Sequence, residues 1–174
     1  KEAEAVVLFP GGWGTQDENF ETLTLVQTGK ANLVPVVLCD APGGTYWTRW
    51  KQYVEEQLLS KGMISPPDMN LLKITDDIDV AVQEILQFYR RYHSSRMVRD
   101  NLAIRLRSPI GKKLVERLND EFGDIITGGK MHTAAGPLSG EGDEFPDLQR
   151  LILKFDRQSV GRLRLMVNKL NEAE

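Results

Sequence analysis

Apolar positions along the chain fall into short continuous runs and helical stripes that alternate. Ala5-Val6-Val7-Leu8-Phe9 is an apolar run without helical period, which predicts a buried strand. From Asp17 to about Gln27, Phe20, Leu23 and Val26 recur at helical spacing, and Gly29 stops that helix. Leu33 to Cys39 predicts a second strand, and Asp40-Ala41-Pro42-Gly43-Gly44-Thr45 is a turn by composition. A helix then runs from about Tyr46 to Ser60, with Trp47, Trp50, Val54 and Leu58 on one face. Lys61-Gly62 ends it, and Pro66-Pro67 marks a loop. Leu71 to Ile74 is a short strand, followed by a helix capped by Thr75 or Asp76 and reaching about Arg91, with Ile78, Val82, Ile85 and Tyr89 on its stripe. Three strands alternating with three helices predict an α/β fold, a parallel sheet joined by crossover helices.

The rhythm changes after His93. Asn101 to Leu106 predicts a strand, and Lys112 to Phe122 a helix carrying Leu114, Val115, Leu118 and Phe122. Asp124 to Thr127 and Leu151 to Phe155 are further strand candidates, and Gly161 to Leu170 is a closing helix. Between the last two strands, Thr133 to Asp147 is rich in Gly, Pro and acids, the composition of a mobile loop. The pattern divides the chain into residues 1–93, an α/β core, and residues 94–174, a small α+β C-terminal appendage.

Between the first strand and its helix lies FPGGWGTQDENFE, Phe9 to Glu21. Such a turn sits at the carboxyl end of a strand, where open α/β sheets bind ligands. Its glycines let backbone approach a ligand closely. The amides of Gly12, Trp13, Gly14 and Thr15 are then free at the positive end of a helix, an anion site suited to phosphate, and the Thr15 hydroxyl adds a hydrogen bond. The spacing is G-G-x-G-T, neither a P-loop nor G-x-G-x-x-G. Glu18 and Glu21 share a helical face one turn beyond. A carboxylate there either meets the hydroxyls and developing C1 cation of a phosphosugar, with Glu18 stabilising charge and orienting water, or is a solvated first-turn acid that complements the helix dipole. Spacing leaves both readings open.

At 174 residues the chain can bury roughly 70% of its unfolded surface without disulfides. Cys39 is the single cysteine; its place in Val34-Pro35-Val36-Val37-Leu38-Cys39 marks it as a small core residue and suits a reducing compartment. No run approaches the ~20 apolar residues of a membrane span, and the Lys-Glu-Ala-Glu start lacks the features of a signal peptide, so a cytoplasmic location and no membrane partner are expected. The net charge of −3 is mild. Arg90, Arg91, Arg96, Arg99, Arg105 and Arg107 form a basic stretch with few aromatics, read as a solvated or interface face rather than a nucleic-acid site. His93 and His132 lack ligand-spaced partners, so no metal is expected. Trp13 either lines a base pocket or covers the sheet edge. The second glycine turn, Pro42-Gly43-Gly44-Thr45, could face the same cleft but reads first as a loop without a nearby carboxylate.

The segment Pro10-Gly11-Gly12-Trp13-Gly14-Thr15-Gln16-Asp17-Glu18 resembles the P-G-G-x-G-T-x-x-E motif of the LONELY GUY (LOG) family, long labelled "possible lysine decarboxylase". The resemblance continues through Leu23-Thr24-Leu25-Val26-Gln27-Thr28-Gly29-Lys30, Pro35-Val36-Val37-Leu38 and Tyr46-Trp47, and Gly161-Arg162-Leu163-Arg164 is similar to the tail of longer bacterial members. It implies a Rossmann-like fold and a phosphoribohydrolase that cuts the N-glycosidic bond of a nucleoside 5′-monophosphate, giving free base and ribose 5-phosphate. Some members act on N6-prenyl adenine nucleotides, others on ordinary purine or pyrimidine nucleotides. By the same resemblance Glu18 is catalytic, Glu21 is a further acid near the ribose, and Gly11, Gly12, Gly14 and Thr15 contact the phosphate. No cofactor is implied, and a homodimer or higher homo-oligomer is expected.

One departure qualifies the match. The family's catalytic arginine lies in an M-H-x-R-K segment well upstream of the glycine motif, beside an earlier glycine-rich turn, and only nine residues precede Pro10 here. His132 follows Met131 but is downstream and no substitute. The expectation is that the chain is the C-terminal part of a longer protein. A non-catalytic nucleotide-binding or sensing module is the alternative to the hydrolase. Lysine decarboxylation is rejected on chemistry: it normally uses a Schiff-base lysine on pyridoxal phosphate, and Lys30 closes a helix away from the turn.

Overall fold

A computed structural model describes residues 3–142 and 144–173. Lys1 and Glu2 of the opening tetrapeptide, Asp143 of the 133–147 segment, and Glu174 lie outside the described residues. The chain divides into two compact units, Lys1–Leu86 and Gln87–Glu174.

In the first unit, β1 (Val6–Leu8), β2 (Val36–Cys39) and β3 (Leu72–Thr75) form a parallel sheet in the order β1-β2-β3. The registers align Leu8 with Leu38 and Leu38 with Ile74. The central strand β2 is buried along its whole length, as expected for a parallel strand covered on both faces. Side chains alternate across it. Val36 and Leu38 pack on Trp47, Trp50 and Val54 of α2 (Tyr46–Val54), with Leu23 of α1 (Trp13–Gln27) beside them. Val37 and Cys39 face Ala81 and Ile85 of α3 (Ile78–Phe88). Crossover helices on both faces make this the Rossmann-like α/β arrangement.

Several expectations need correction here. β1 is half-buried, not a buried central strand, because it lies at the edge of the sheet. Within the first unit the α3 core positions are Ala81 and Ile85, whereas Ile78 and Val82 are exposed, as is Leu86. A phase error of one residue along a helix turns a side chain by about 100°, enough to exchange core and solvent. After α2 the helix widens into a π turn, Glu55–Leu59, and the Pro66-Pro67 loop is a 3-10 helix, Pro66–Leu71. Asp68 Oδ2 accepts from the Ser65 amide and hydroxyl, each at 2.8 Å, which starts that helix.

The second unit holds an antiparallel sheet in the order β4-β5-β7-β6, formed by β4 (Tyr92–Val98), β5 (Asn101–Leu106), β6 (His132–Ala134) and β7 (Gln149–Leu153). Helices α4 (Lys112–Phe122) and α5 (Val160–Glu172) complete it. Leu118 and Phe122 of α4 and Leu163, Met166, Val167 and Leu170 of α5 are buried. The sequence pattern did not indicate β4 or β6, and Asp124 to Thr127 is not a strand: Gly123–Ile125 is a 3-10 turn, with one bridge from Ile126 to Phe155. The basic stretch is largely consumed inside this unit. Arg91 Nη1 donates to the Leu170 carbonyl and Arg90 Nη1 to that of Asn171, the negative end of α5. Asn171 Oδ1 in turn accepts from the Arg91 and Tyr92 amides, both at 2.9 Å.

The segment expected to be a mobile loop is anchored. Glu141 is fully buried and accepts from Arg105 Nε at 2.9 Å, Arg150 Nη2 at 3.0 Å and the Leu138 amide at 3.0 Å. Arg150, also fully buried, donates further to the Phe145, Leu148 and Glu144 carbonyls. No helix among the described residues is long and apolar enough to cross a membrane.

Candidate functional site

Helix α1 starts earlier than expected, at Trp13 rather than Asp17, with Gly12 as its N-cap. The first intrahelical bond runs from the Gln16 amide to the Gly12 carbonyl at 3.2 Å. The amides of Gly12, Trp13, Gly14 and Thr15 precede it, so they have no partner within the helix. No side chain caps them, and Gly11 to Gly14 are exposed. Asp17, Glu18 and Glu21 are consequently not first-turn acids; the first turn contains none. The positive end of α1 therefore carries no carboxylate of its own helix.

The turn is held by packing and by a hydroxyl from α2. A Cβ on Gly11 would lie 2.1 Å from Thr15 Oγ1 and 2.9 Å from Thr15 Cβ, so only glycine lets Thr15 fold back over this position. Tyr46 Oη donates to the Gly11 carbonyl at 2.6 Å and accepts from Gln16 Nε2 at 2.5 Å. One side chain thus ties the backbone before α1 to the first turn of α1. Tyr46 was visible in the sequence only as part of the family resemblance; its signal is a tyrosine at the first helical position after the second glycine turn.

That second turn does have carboxylates, contrary to expectation. Asp40 is buried at the end of β2 and its Oδ2 accepts from the Trp47 amide at 3.0 Å, while Asp76 Oδ2 accepts from the Gly43 amide at 2.9 Å. An internal carboxylate already occupies the N-terminus of α2, whereas that of α1 is open. Burial, then Asp40, Asp77 and Asp76, push the Cys39 thiol up, so this fully buried cysteine is a core residue, as its apolar run indicated.

Gly14, Glu18 and Glu21 follow one another at helical spacings of four and three, and both glutamates are exposed, without a hydrogen bond or ion pair among the described residues. Trp13 is 93% exposed, so it does not cover the sheet edge. The buried residues of α1 are Asn19 and Val26, while Phe20 is 39% exposed and its ring meets that of Trp50 tilted by 46°, with centroids 5.7 Å apart. Asn19 is fully buried, and neither Nδ2 nor Oδ1 has a hydrogen-bond partner among the described residues.

Residues 1–85 match the family model described as "Possible lysine decarboxylase". No curated protein matches the chain. The matched residues include the whole P-G-G-x-G-T-x-x-E segment and the parallel sheet that displays it. Residues 1–85 of this chain are therefore similar to the possible lysine decarboxylase, or LOG, family, consistent with a LOG-like protein.

Proposed function

We propose that the first unit carries the nucleotide site of a LOG-like phosphoribohydrolase, which hydrolyses a nucleoside 5′-monophosphate to free base and ribose 5-phosphate. The observation that carries this reading is the open N-terminus of α1: four consecutive amides precede its first bond, no side chain caps them, and a rigid glycine turn presents them to solvent. A dianionic phosphate fits that end of the helix, with Gly11, Gly12 and Gly14 allowing close approach and the Thr15 hydroxyl donating. Glu18, one turn further along, then faces the sugar, where a carboxylate stabilises cationic character at C1 and orients the attacking water. Glu21 serves the ribose hydroxyls, and exposed Trp13 offers a face for the base. The exposed stripe of Ile78, Val82 and Leu86 on α3 supports self-association of the chain.

A second reading, a nucleotide-binding module without catalysis, is favoured by one observation. Glu18 is exposed, and no cation pairs with it among the described residues. Base release from a panel of nucleoside monophosphates, followed by chromatography, decides between them. The hydrolase reading expects release that Glu18→Gln lowers by about 100-fold or more while nucleotide binding survives. Turnover retained in Glu18→Gln refutes it. Saturable binding without release establishes the binding module.

A further inference from the structure

Three strands of the second unit meet at one end of their sheet, where an open cleft of ≈ 320 Å³ is lined by His93, Arg107, Phe145, Asp147 and Leu148. Leu106 of β5 pairs with Tyr92 of β4 and with Gln149 of β7, so His93, Arg107 and Leu148 each lie one residue from that row. Two backbone irregularities converge on the cleft. The β4–β5 ladder slips between Tyr92 and Ser94, which puts His93 in a bulge, a feature over-represented next to active sites, where it re-aims a side chain. Phe145 has a φ of 53°, in the left-handed region that a bulky residue rarely adopts. It is pinned there. Buried Arg150 donates to the Phe145 carbonyl at 2.8 Å and to that of Glu144 at 3.0 Å, and the Leu148 amide donates to the Phe145 carbonyl at 3.2 Å. Yet the ring so displayed is 46% exposed, beside the His93 ring with centroids 4.4 Å apart. Backbone strain held in place without burying its side chain is a mark of ligand sites rather than of cores.

The polar groups of this region differ in what they already hold. His93 Nδ1 lies 2.8 Å from Ser94 Oγ. Arg105, two residues before Arg107, is taken by Glu141 and Glu144. Among the described residues the Arg107 guanidinium meets only the Tyr89 ring, at 5.9 Å, and Asp147 has no hydrogen-bond or ion-pair partner. One unpaired cation and one unpaired anion therefore share a cleft with the apolar side chains of Phe145 and Leu148. We propose that this cleft binds a small zwitterion, a free α-amino acid with an apolar side chain, its carboxylate turned to Arg107, its ammonium to Asp147 and its side chain to Phe145 and Leu148. A carboxylate matches the guanidinium fork. A ligand with one charge alone would leave the opposite wall unanswered and bring its charge near a like one. The volume lies at the low end of small-molecule sites, about 300–1,000 Å³, which suits a ligand of this size. The site belongs to the second unit and does not depend on the nucleotide reading.

L-Phenylalanine is the probe, compared with hydrocinnamate, which lacks the ammonium, and phenethylamine, which lacks the carboxylate. Titrations of the full chain, followed by the backbone amides of Phe145, Asp147 and Leu148 in nitrogen-15 spectra, give each affinity. Phenylalanine should saturate in about the millimolar range and bind at least about threefold more tightly than either analogue. Arg107→Gln should weaken phenylalanine and hydrocinnamate by about threefold or more and leave phenethylamine unchanged. Asp147→Asn should do the reverse, weakening phenylalanine and phenethylamine alone. Both side chains are exposed, so neither exchange disturbs the fold. Phe145→Gly, which suits the left-handed backbone, should keep the fold and lose saturation. No saturation by phenylalanine, equal binding of the three probes, or charge variants that weaken all three alike overturns the proposal.

Discussion

Tyr46 Oη lies 2.6 Å from the carbonyl oxygen of Gly11, a hydrogen bond that reaches from the first residue of α2 to the turn before α1. Were α1 to extend one residue back, that carbonyl would receive the Thr15 amide; instead it receives the hydroxyl, and the Thr15 amide stays available. Tyr46→Phe removes this donor and leaves the Gln16 side chain without its acceptor. We expect a stability loss of about 1 kcal/mol and nucleoside monophosphate binding about three- to tenfold weaker. Urea unfolding and calorimetric titration with adenosine monophosphate check the two effects separately. Binding unchanged in the variant would show that the hydroxyl does not position the turn.

The glycines of the turn separate by what a methyl group would meet. Gly11→Ala drives a Cβ into Thr15 and should cost about 1–3 kcal/mol, the range for overpacking. Nothing lies within 4 Å of a Cβ on Gly12, so Gly12→Ala should leave the melting temperature nearly unchanged while obstructing the approach of an anion. Thermal melts with and without adenosine monophosphate distinguish them. A Gly12→Ala protein that retains full ligand-induced stabilisation would remove Gly12 from the binding surface.

Asn19 places a carboxamide in the core with neither of its polar atoms paired. Each unsatisfied buried group costs about 1–3 kcal/mol, and leucine keeps the same branched heavy-atom skeleton, with bulkier methyl groups in place of the amide. Asn19→Leu should therefore raise the urea midpoint. A lowered midpoint would mean that the amide has a partner in solution and is a constraint of the site rather than a defect in packing.

Glu141 anchors the segment between β6 and β7, and its ionisation links that anchor to pH. Burial pushes its carboxyl pKa up, but the hydrogen bonds from Arg150, the Leu138 amide and Arg105 outweigh it and hold the group below its ordinary value of 4.5. The Arg162 guanidinium likewise lowers Asp124, against burial. Because the folded values are depressed, this stabilisation is present above the unfolded carboxylate range and is lost as pH falls through the folded values. Melts of the second unit should be flat near neutrality and drop below about pH 4.5. Glu141→Ala should cost about 3–5 kcal/mol by stranding two buried arginines, and should flatten much of that acid limb. An unchanged acid limb would assign it to other carboxylates.

The sequence alone carried most of the first unit. Val34-Pro35-Val36-Val37-Leu38-Cys39 is apolar throughout because a central parallel strand is covered on both faces, and burial on both sides leaves no alternation to misread. The glycine segment was legible for a related reason: free amides at a helix start follow from local geometry, so Gly12 to Thr15 could be named before any fold was known. Edge positions were not legible. β1 reads as buried, β4 and β6 do not read as strands, and the stripe of α3 is misphased, because each depends on which neighbours cover a face.

Long-range polar contacts were equally invisible. Tyr46 is 35 residues from Gly11, Arg105 is 36 from Glu141, and Arg91 reaches Asn171 across 80 positions. Glycine, proline and acids between Thr133 and Asp147 read as a mobile loop, yet buried Glu141 and Arg150 tie that segment to the sheet. Local preference and hydrophobic period act over a few residues and set where elements form. Which N-terminus stays open and which carboxylate is spent on a cap are decided only when distant segments meet, because a hydrogen bond depends on distance in space and not along the chain.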